Sequence, residues 1–145
     1  MIDGITRPSL RPSAAALRSK DVAAGVGRIV EFCFAQFTER KRVPRAVLKI
    51  AHAVGLMPTV AQSTDVAAVS LANALRRRTD VHVTDCDVAA WTMTHTMMGV
   101  VHTLIWMDEP RCSSEALRAE LIALYSAYLG GSSRSPFPAS GTAPR

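Results

Sequence analysis

A run of twenty residues without a charged side chain, 88–107 (VAAWTMTHTMMGVVHTLIWM), constrains the fold of this chain more than any other feature. Thr84 and Asp85 offer helix-capping side chains just before the run, and no proline interrupts it. We therefore expect one helix over residues 85–107, about 33 Å long. A helix without a charged face needs partners on nearly every side, and one small domain can hardly supply them all.

The length and composition predict one domain in a reducing compartment. With 145 residues and 48% hydrophobic content, the chain can bury a real core. Its three cysteines, Cys33, Cys86 and Cys112, are odd in number and widely spaced, which argues against a disulfide framework and a cysteine zinc site. The N-terminus has no continuous apolar stretch of the secretory kind. We expect a cytoplasmic protein.

The positive charge is concentrated in the first half of the chain. Residues 1–78 hold 13 Lys and Arg against 5 acidic residues, and residues 79–145 hold 4 against 7. Two basic clusters, 40–42 and 76–78, lie near the predicted ends of helices, where cations complement the helix dipole. Contact with nucleic acid is the alternative, although no aromatic or glycine-rich nucleic-acid motif accompanies the clusters.

Apolar spacing predicts an all-α fold, a bundle of about five helices. Besides the long uncharged helix, the predicted helices run from Asp21 to Arg40, from Pro44 to about Val54, from Pro58 to Arg78 and from Ser113 to Leu129. We expect residues 1–20 to form an irregular leader, residues 21–130 the domain, and residues 131–145 a disordered tail that is rich in Gly, Ser and Pro.

The segment 75–129 resembles the C-terminal end of TetR-family transcriptional regulators. The resemblance rests on an Arg-rich helix end, an Asp-led Ala-Ala helix, a loop with proline and a final helix with an acidic start. These elements are Leu75-Arg76-Arg77-Arg78, Asp87-Val88-Ala89-Ala90, Asp108-Glu109-Pro110, Glu115-Ala116-Leu117, Glu120-Leu121 and Tyr128-Leu129. The pattern consists of apolar spacing and caps, and it contains no catalytic signature.

The resemblance implies a homodimer in which the last two helices pair with their copies as a four-helix interface. The residues that we assign to this interface are Leu104, Leu117, Leu121, Leu124 and Tyr128. An uncharged helix can give one face to its own domain and another to a partner, which agrees with this arrangement. Family members begin with a helix-turn-helix DNA-binding domain, which is not evident here, so we expect a sensor without its DNA reader.

The resemblance also implies that the earlier helices surround a pocket for a small hydrophobic effector. From the helical faces, we assign to it Phe34, Phe37, Leu56, Met57, Trp91, His95, Met98 and His102. His95 and His102 share a narrow face of the long helix that could present hydrogen-bond partners to a ligand. The alternatives are that both histidines are packed structural residues, and that the methionines of this helix are core.

Other classes of function have weaker signals. The turn at Ala51–Val60 could belong to a helix-turn-helix with Thr59, Gln62, Ser63 and Thr64 facing DNA, and the chain could instead be a dimerisation partner of an intact regulator. Trp91 and Trp106 at the ends of the uncharged run resemble the anchors of a membrane span, but its threonines and acidic flanks argue against one. We expect no catalytic activity, no metal site and no cofactor.

Overall fold

Five α-helices make up the computed structural model, which describes residues 21–37, 42–108 and 110–131. They are α1 (Val22–Phe37), α2 (Arg42–Ala53), α3 (Met57–Leu75), α4 (Cys86–Trp106) and α5 (Ser114–Leu129). The described residues contain no strand. The prediction of an all-α bundle is confirmed. The predictions for the leader 1–20, for residues 132–145 and for the cluster around Lys41 lie outside the described residues.

The predicted helix caps are confirmed at both helices of the C-terminal part. Asp85 precedes α4, and its carboxylate accepts hydrogen bonds from the backbone N–H groups of Asp87 (2.8 Å) and Val88 (3.2 Å). Ser113 precedes α5, and its hydroxyl oxygen accepts from the N–H of Ala116 at 3.1 Å. These side chains satisfy amides that have no partner within the helix, and so they determine where α4 and α5 begin.

The third helix ends earlier than the apolar spacing predicts, and the predicted end of the first helix at Arg40 lies outside the described residues. The sequence prediction extends α3 to Arg78, whereas the helix ends at Leu75 and residues 76–77 form a turn. After this turn, Arg78 donates two hydrogen bonds to Asp80, from Nε to Oδ1 (2.7 Å) and from Nη2 to Oδ2 (2.6 Å). Asp80 also accepts from the N–H of Val22 at 3.0 Å, which holds the start of α1 against the linker that follows α3.

The core lies around α4, which packs mainly against α3 and also contacts α1 and α5. One side of α4 is fully covered within the chain. Its buried residues are Ala89, Ala90, Met93, Met97, Val101, Leu104 and Ile105. The opposite side of α4 stays exposed. The expectation that this chain cannot cover the helix on every side therefore agrees with the structure of the single chain.

The last helix packs against α1 through Leu121, Tyr125 and Leu129, which are buried. An ion pair between Arg118 of α5 and Glu31 of α1, with Nη1 and Oε2 2.9 Å apart, reinforces this contact at its surface. The α5 residues that the sequence assigns to the dimer interface therefore lie in two different environments. Leu121 faces the core, whereas Leu124 is 57% exposed.

Candidate ligand cavity and partner surface

A cavity of about 510 Å³ opens between the helices, and all five contribute to its wall. Its lining residues are Val26, Ile29, Val30, Phe32, Cys33, Gln36, Phe37, Val43, Pro44, Val47, Ser63, Thr64, Ala67, Leu71, Met93, Thr94, Met97, Met98 and Tyr125. Around the cavity, α1 packs mainly against α5, α3 packs mainly against α4, and α2 contacts both α3 and α4. The volume lies within the roughly 300–1,000 Å³ typical of small-molecule sites.

The wall is apolar except for a few side chains with hydrogen-bonding groups. Three hydroxyl groups donate to backbone carbonyls of their own helices: Ser63 Oγ to Val60 O (2.7 Å), Thr64 Oγ1 to Val60 O (3.2 Å) and Thr94 Oγ1 to Ala90 O (2.7 Å). Such bonds satisfy a hydroxyl within a helix without any tertiary partner. Each hydroxyl oxygen keeps lone pairs that can accept a hydrogen bond from a guest molecule.

Tyr125 brings a further hydroxyl to the cavity from α5. Its oxygen lies 3.2 Å from the carbonyl of Met93, to which it donates, and 2.6 Å from Thr96 Oγ1. Burial raises the pKa of Tyr125 above its ordinary value of 10.0, and the hydrogen bond with Thr96 opposes this effect in part. The phenol therefore stays neutral and ties α5 to the backbone of α4.

Cys33 is the thiol of the cavity wall. Burial raises its pKa from 9.0 to about 11, because the thiolate would lose its hydration without gaining a cationic neighbour. At neutral pH the group is a protonated, weakly polar thiol. It therefore lacks the thiolate character that a nucleophilic cysteine requires.

Of the eight residues that the sequence assigns to the pocket, Phe37 and Met98 line this cavity. Phe34 lies in the core, 5.7 Å from the guanidinium carbon of Arg118. Leu56 is exposed and Met57 half-buried at the corner between α2 and α3. His102 is half-buried, and burial lowers its pKa below 6.5.

Trp91 and His95 lie on an outer part of α4 rather than at the cavity wall. Their rings stack with centroids 4.1 Å apart, and Trp91 is 54% exposed. His95 also contacts Asp65 of α3, with Nε2 and Oδ1 3.4 Å apart. The contact with Asp65 joins α3 to α4, so this histidine has structural partners within the chain.

Of α3, the sequence assigns only Met57 to the pocket, whereas the cavity wall takes Ser63, Thr64, Ala67 and Leu71 from this helix. Apolar spacing gives no reason to choose the polar residues Ser63 and Thr64. The same two hydroxyl residues were candidates for DNA contacts in the helix-turn-helix interpretation. In the structure, they face the cavity instead.

The exposed side of α4 is a continuous surface of small and aromatic uncharged residues. Its members are Val88, Trp91, Thr92, Thr96, Gly99, Thr103 and Trp106. An added Cβ atom at Gly99 would meet nothing within 4 Å in this chain, so the fold of the chain itself does not require a glycine there. We call this the outer face of α4.

The exposed side of α5 carries an alanine stripe, which consists of Ala116, Ala119, Ala123 and Ala127. Leu124 stands beside the stripe and is exposed as well. Of the other residues assigned to the interface, Leu117 and Tyr128 are half-buried, Leu121 is buried, and Leu104 is 1% exposed. Leu104 therefore contributes to the core of its own chain.

No three His, Cys, Asp or Glu side chains within residues 21–37, 42–108 and 110–131 come together in a group that could hold a metal ion. None of the helices described here combines the length and the hydropathy that crossing a membrane would require.

The comparison with protein families identifies the class of the chain. A family model described as tetracyclin repressor-like, C-terminal domain, matches residues 21–129, so the chain belongs to this family. The match confirms the resemblance seen over residues 75–129 and extends it to all five helices. No curated protein and no solved structure matches the chain.

Proposed function

We propose that this chain is the effector-sensing and dimerisation domain of a TetR-type transcriptional regulator, without catalytic activity, and that it binds a small hydrophobic molecule. The observation that carries the proposal is the cavity of about 510 Å³, whose mostly apolar wall is built from all five helices. A ligand there would contact every helix at once, so its binding could shift their packing as a unit. A sensor of this kind works in the cytoplasm, beside the DNA.

Binding of a neutral fluorescent probe, N-phenyl-1-naphthylamine, tests the sensing part. We expect saturable binding with one probe per chain, and we expect Ala67→Trp to abolish it, because Ala67 lines the cavity and a large ring would fill it. Ala61→Trp is the matched control, since Ala61 is exposed on the same helix and should leave binding unchanged. Equal binding by the two variants would show that the probe binds elsewhere.

The dimerisation part of the proposal is supported by two exposed surfaces that carry few charged side chains, the outer face of α4 and the alanine stripe of α5. Glycine within a helix costs about 1 kcal/mol relative to alanine. An added Cβ at Gly99 would have open space around it in the single chain. Close packing of a second helix against this position would explain why a glycine is there. We infer that two copies pair through these surfaces, with Leu124 at the contact and Leu104 behind it.

The dimer is tested by Gly99→Leu in sedimentation equilibrium. We expect at least tenfold weaker association of the variant, which corresponds to about 1.4 kcal/mol, because the new side chain separates the two copies of α4. Gly27→Leu is the matched control, since Gly27 also lies within a helix with nothing within 4 Å of an added Cβ atom. Unchanged association of Gly99→Leu would contradict this interface.

The alternative functions gain less support from the geometry. In the helix-turn-helix interpretation, Ser63 and Thr64 would face DNA, but both line the cavity. Heterodimerisation with an intact regulator would use the same surfaces as the homodimer, and subunit exchange with such a regulator would distinguish the two.

A further inference from the structure

Among the residues that the structure describes, the cavity wall offers no charged partner to a guest molecule. Among the lining residues that the structure describes, none is Asp, Glu, Lys, Arg or His. An ionised group that entered would lose its hydration without forming an ion pair, which is a large cost in an apolar site. The wall therefore discriminates against carboxylates and ammonium groups alike.

The hydroxyl groups of the wall already donate hydrogen bonds within the chain. Ser63, Thr64 and Thr94 each donate to a carbonyl of their own helix. The hydrogen of Tyr125 is likewise occupied within the chain, at the carbonyl of Met93 (3.2 Å) or at Thr96 Oγ1 (2.6 Å). A guest that only accepts hydrogen bonds would have to break one of these bonds, whereas a guest that donates can use the free lone pairs and leave the bonds intact.

Two other polar groups line the cavity, and neither supplies a strong buried donor. Gln36 has donors on its amide, but it is exposed to solvent. Cys33 is half-buried, and a thiol is a weak donor. The buried part of the wall is therefore rich in acceptors and poor in donors.

Two of the acceptors lie at one level of the α3–α4 pair. Asp65 and His95 are in contact at 3.4 Å, and each directly follows a cavity threonine in the sequence. Thr64 of α3 and Thr94 of α4 therefore lie at the same level of the α3–α4 pair. A single donor group on a guest can reach this level from the apolar interior.

From these observations we propose that the cavity binds a neutral, largely apolar molecule that donates a hydrogen bond from a hydroxyl or N–H group to the acceptors on α3 and α4. This inference rests on the proposed function, because it specifies the chemical class of the effector. Phenols and apolar alcohols are examples of the class.

Displacement of N-phenyl-1-naphthylamine by three biphenyls of similar shape tests the inference. 4-Phenylphenol donates a hydrogen bond, 4-methoxybiphenyl only accepts, and biphenyl-4-carboxylate is ionised. We expect the phenol to bind about tenfold more tightly than the ether, as the net value of one hydrogen bond suggests, and the carboxylate to bind more weakly than both. Equal or tighter binding of the ether or the carboxylate would overturn the inference.

A variant without the three helical hydroxyls tests the assigned acceptors. In Ser63→Ala/Thr64→Val/Thr94→Val, we expect the preference for the phenol to fall to within about twofold. Ser70→Ala is the matched control, because Ser70 donates to Val66 O (3.0 Å) in the same way but does not line the cavity. A full preference in the triple variant would overturn the assignment. The comparison of the three biphenyls uses the unsubstituted chain, so its result does not depend on whether the triple variant folds.

The two proposals fail in different ways. If neither the fluorescent probe nor any biphenyl binds, the proposed sensing function is wrong. If they bind in the cavity without a preference for the donor, the sensing function stands and only the chemical class is wrong.

Discussion

Asp80 shows how much a single residue of a linker can organise. Its carboxylate receives two hydrogen bonds from Arg78 and one from the backbone of Val22. The Arg78 guanidinium holds the pKa of Asp80 below 3.8, and the hydrogen bond from Val22 acts in the same direction. The same partnership raises the pKa of Arg78. One charged pair thus connects the end of α3 to the first turn of α1.

We expect Asp80→Ala to reduce the free energy of unfolding by about 1 kcal/mol, through loss of a helix cap and of a partly exposed ion pair that solvent weakens. The folded-state pKa lies below the unfolded one, so the contribution of the carboxylate is complete above pH 3.8 and is lost as the pH falls through the folded value. Urea denaturation of the unsubstituted chain and of Asp80→Ala, at pH 7 and at lower pH, measures the difference between their free energies of unfolding. A difference that grows on acidification would contradict the assignment.

The beginnings of α4 and α5 depend on a few neighbouring residues, whereas the surroundings of each helix face depend on tertiary packing. In both helices, the capping residue directly precedes the first helical residue: it is Asp85 for α4 and Ser113 for α5. Sequence analysis predicted both caps, because a cap depends on the identity of one side chain and on amides within the next three residues. The faces of the same helices were harder to assign, because α4 has no charged residue after Asp87 and so no charged side to indicate the solvent.

We expect Ser113→Ala to destabilise the chain by about 1 kcal/mol, because the N–H of Ala116 loses its acceptor at the start of α5. The adjacent Ser114→Ala, inside the first turn, is the control and should change stability by only a few tenths of that value. Thermal unfolding of the two variants separates the cap from a general effect of removing serine. Equal losses would mean that the cap does not stabilise α5.

In the whole molecule, α2 is the least anchored element. Of its side chains, Leu48 and Ala51 are buried, whereas Val43 is 65% and Val47 57% exposed although both line the cavity. Arg45 ties α2 to the end of α4 through Asp108 (2.8 Å) and the carbonyl of Trp106 (3.1 Å). The helix therefore covers the cavity with little burial of its own.

We expect amide hydrogen exchange in α2 to be faster than in α4, because α2 can open locally without disrupting the core. The neutral probe should slow exchange in α2 more than in the exposed side of α5, since Val43 and Val47 would become covered by the ligand. Exchange measured by mass spectrometry, with and without the probe, checks both expectations. Protection confined to α5 would place the ligand outside this cavity.

The sequence by itself determined the helical class, the number of helices and the beginnings of α4 and α5. These features depend on residue spacing and caps, which act within a few positions of the chain. It also contained the family pattern in residues 75–129. The bounds of α3 were less accurate, because the pairing of Arg78 with Asp80 competes with continuation of the helix.

The tertiary structure decided which residues line the cavity. Phe37 and Met98 could be chosen from helical faces, but the hydroxyls of α3 could not, because their position depends on how α3 packs against α4. It likewise placed Leu104 in the core and Leu124 at the surface. A periodic pattern shows which residues share a face of a helix, whereas only the packing of several helices shows what each face meets.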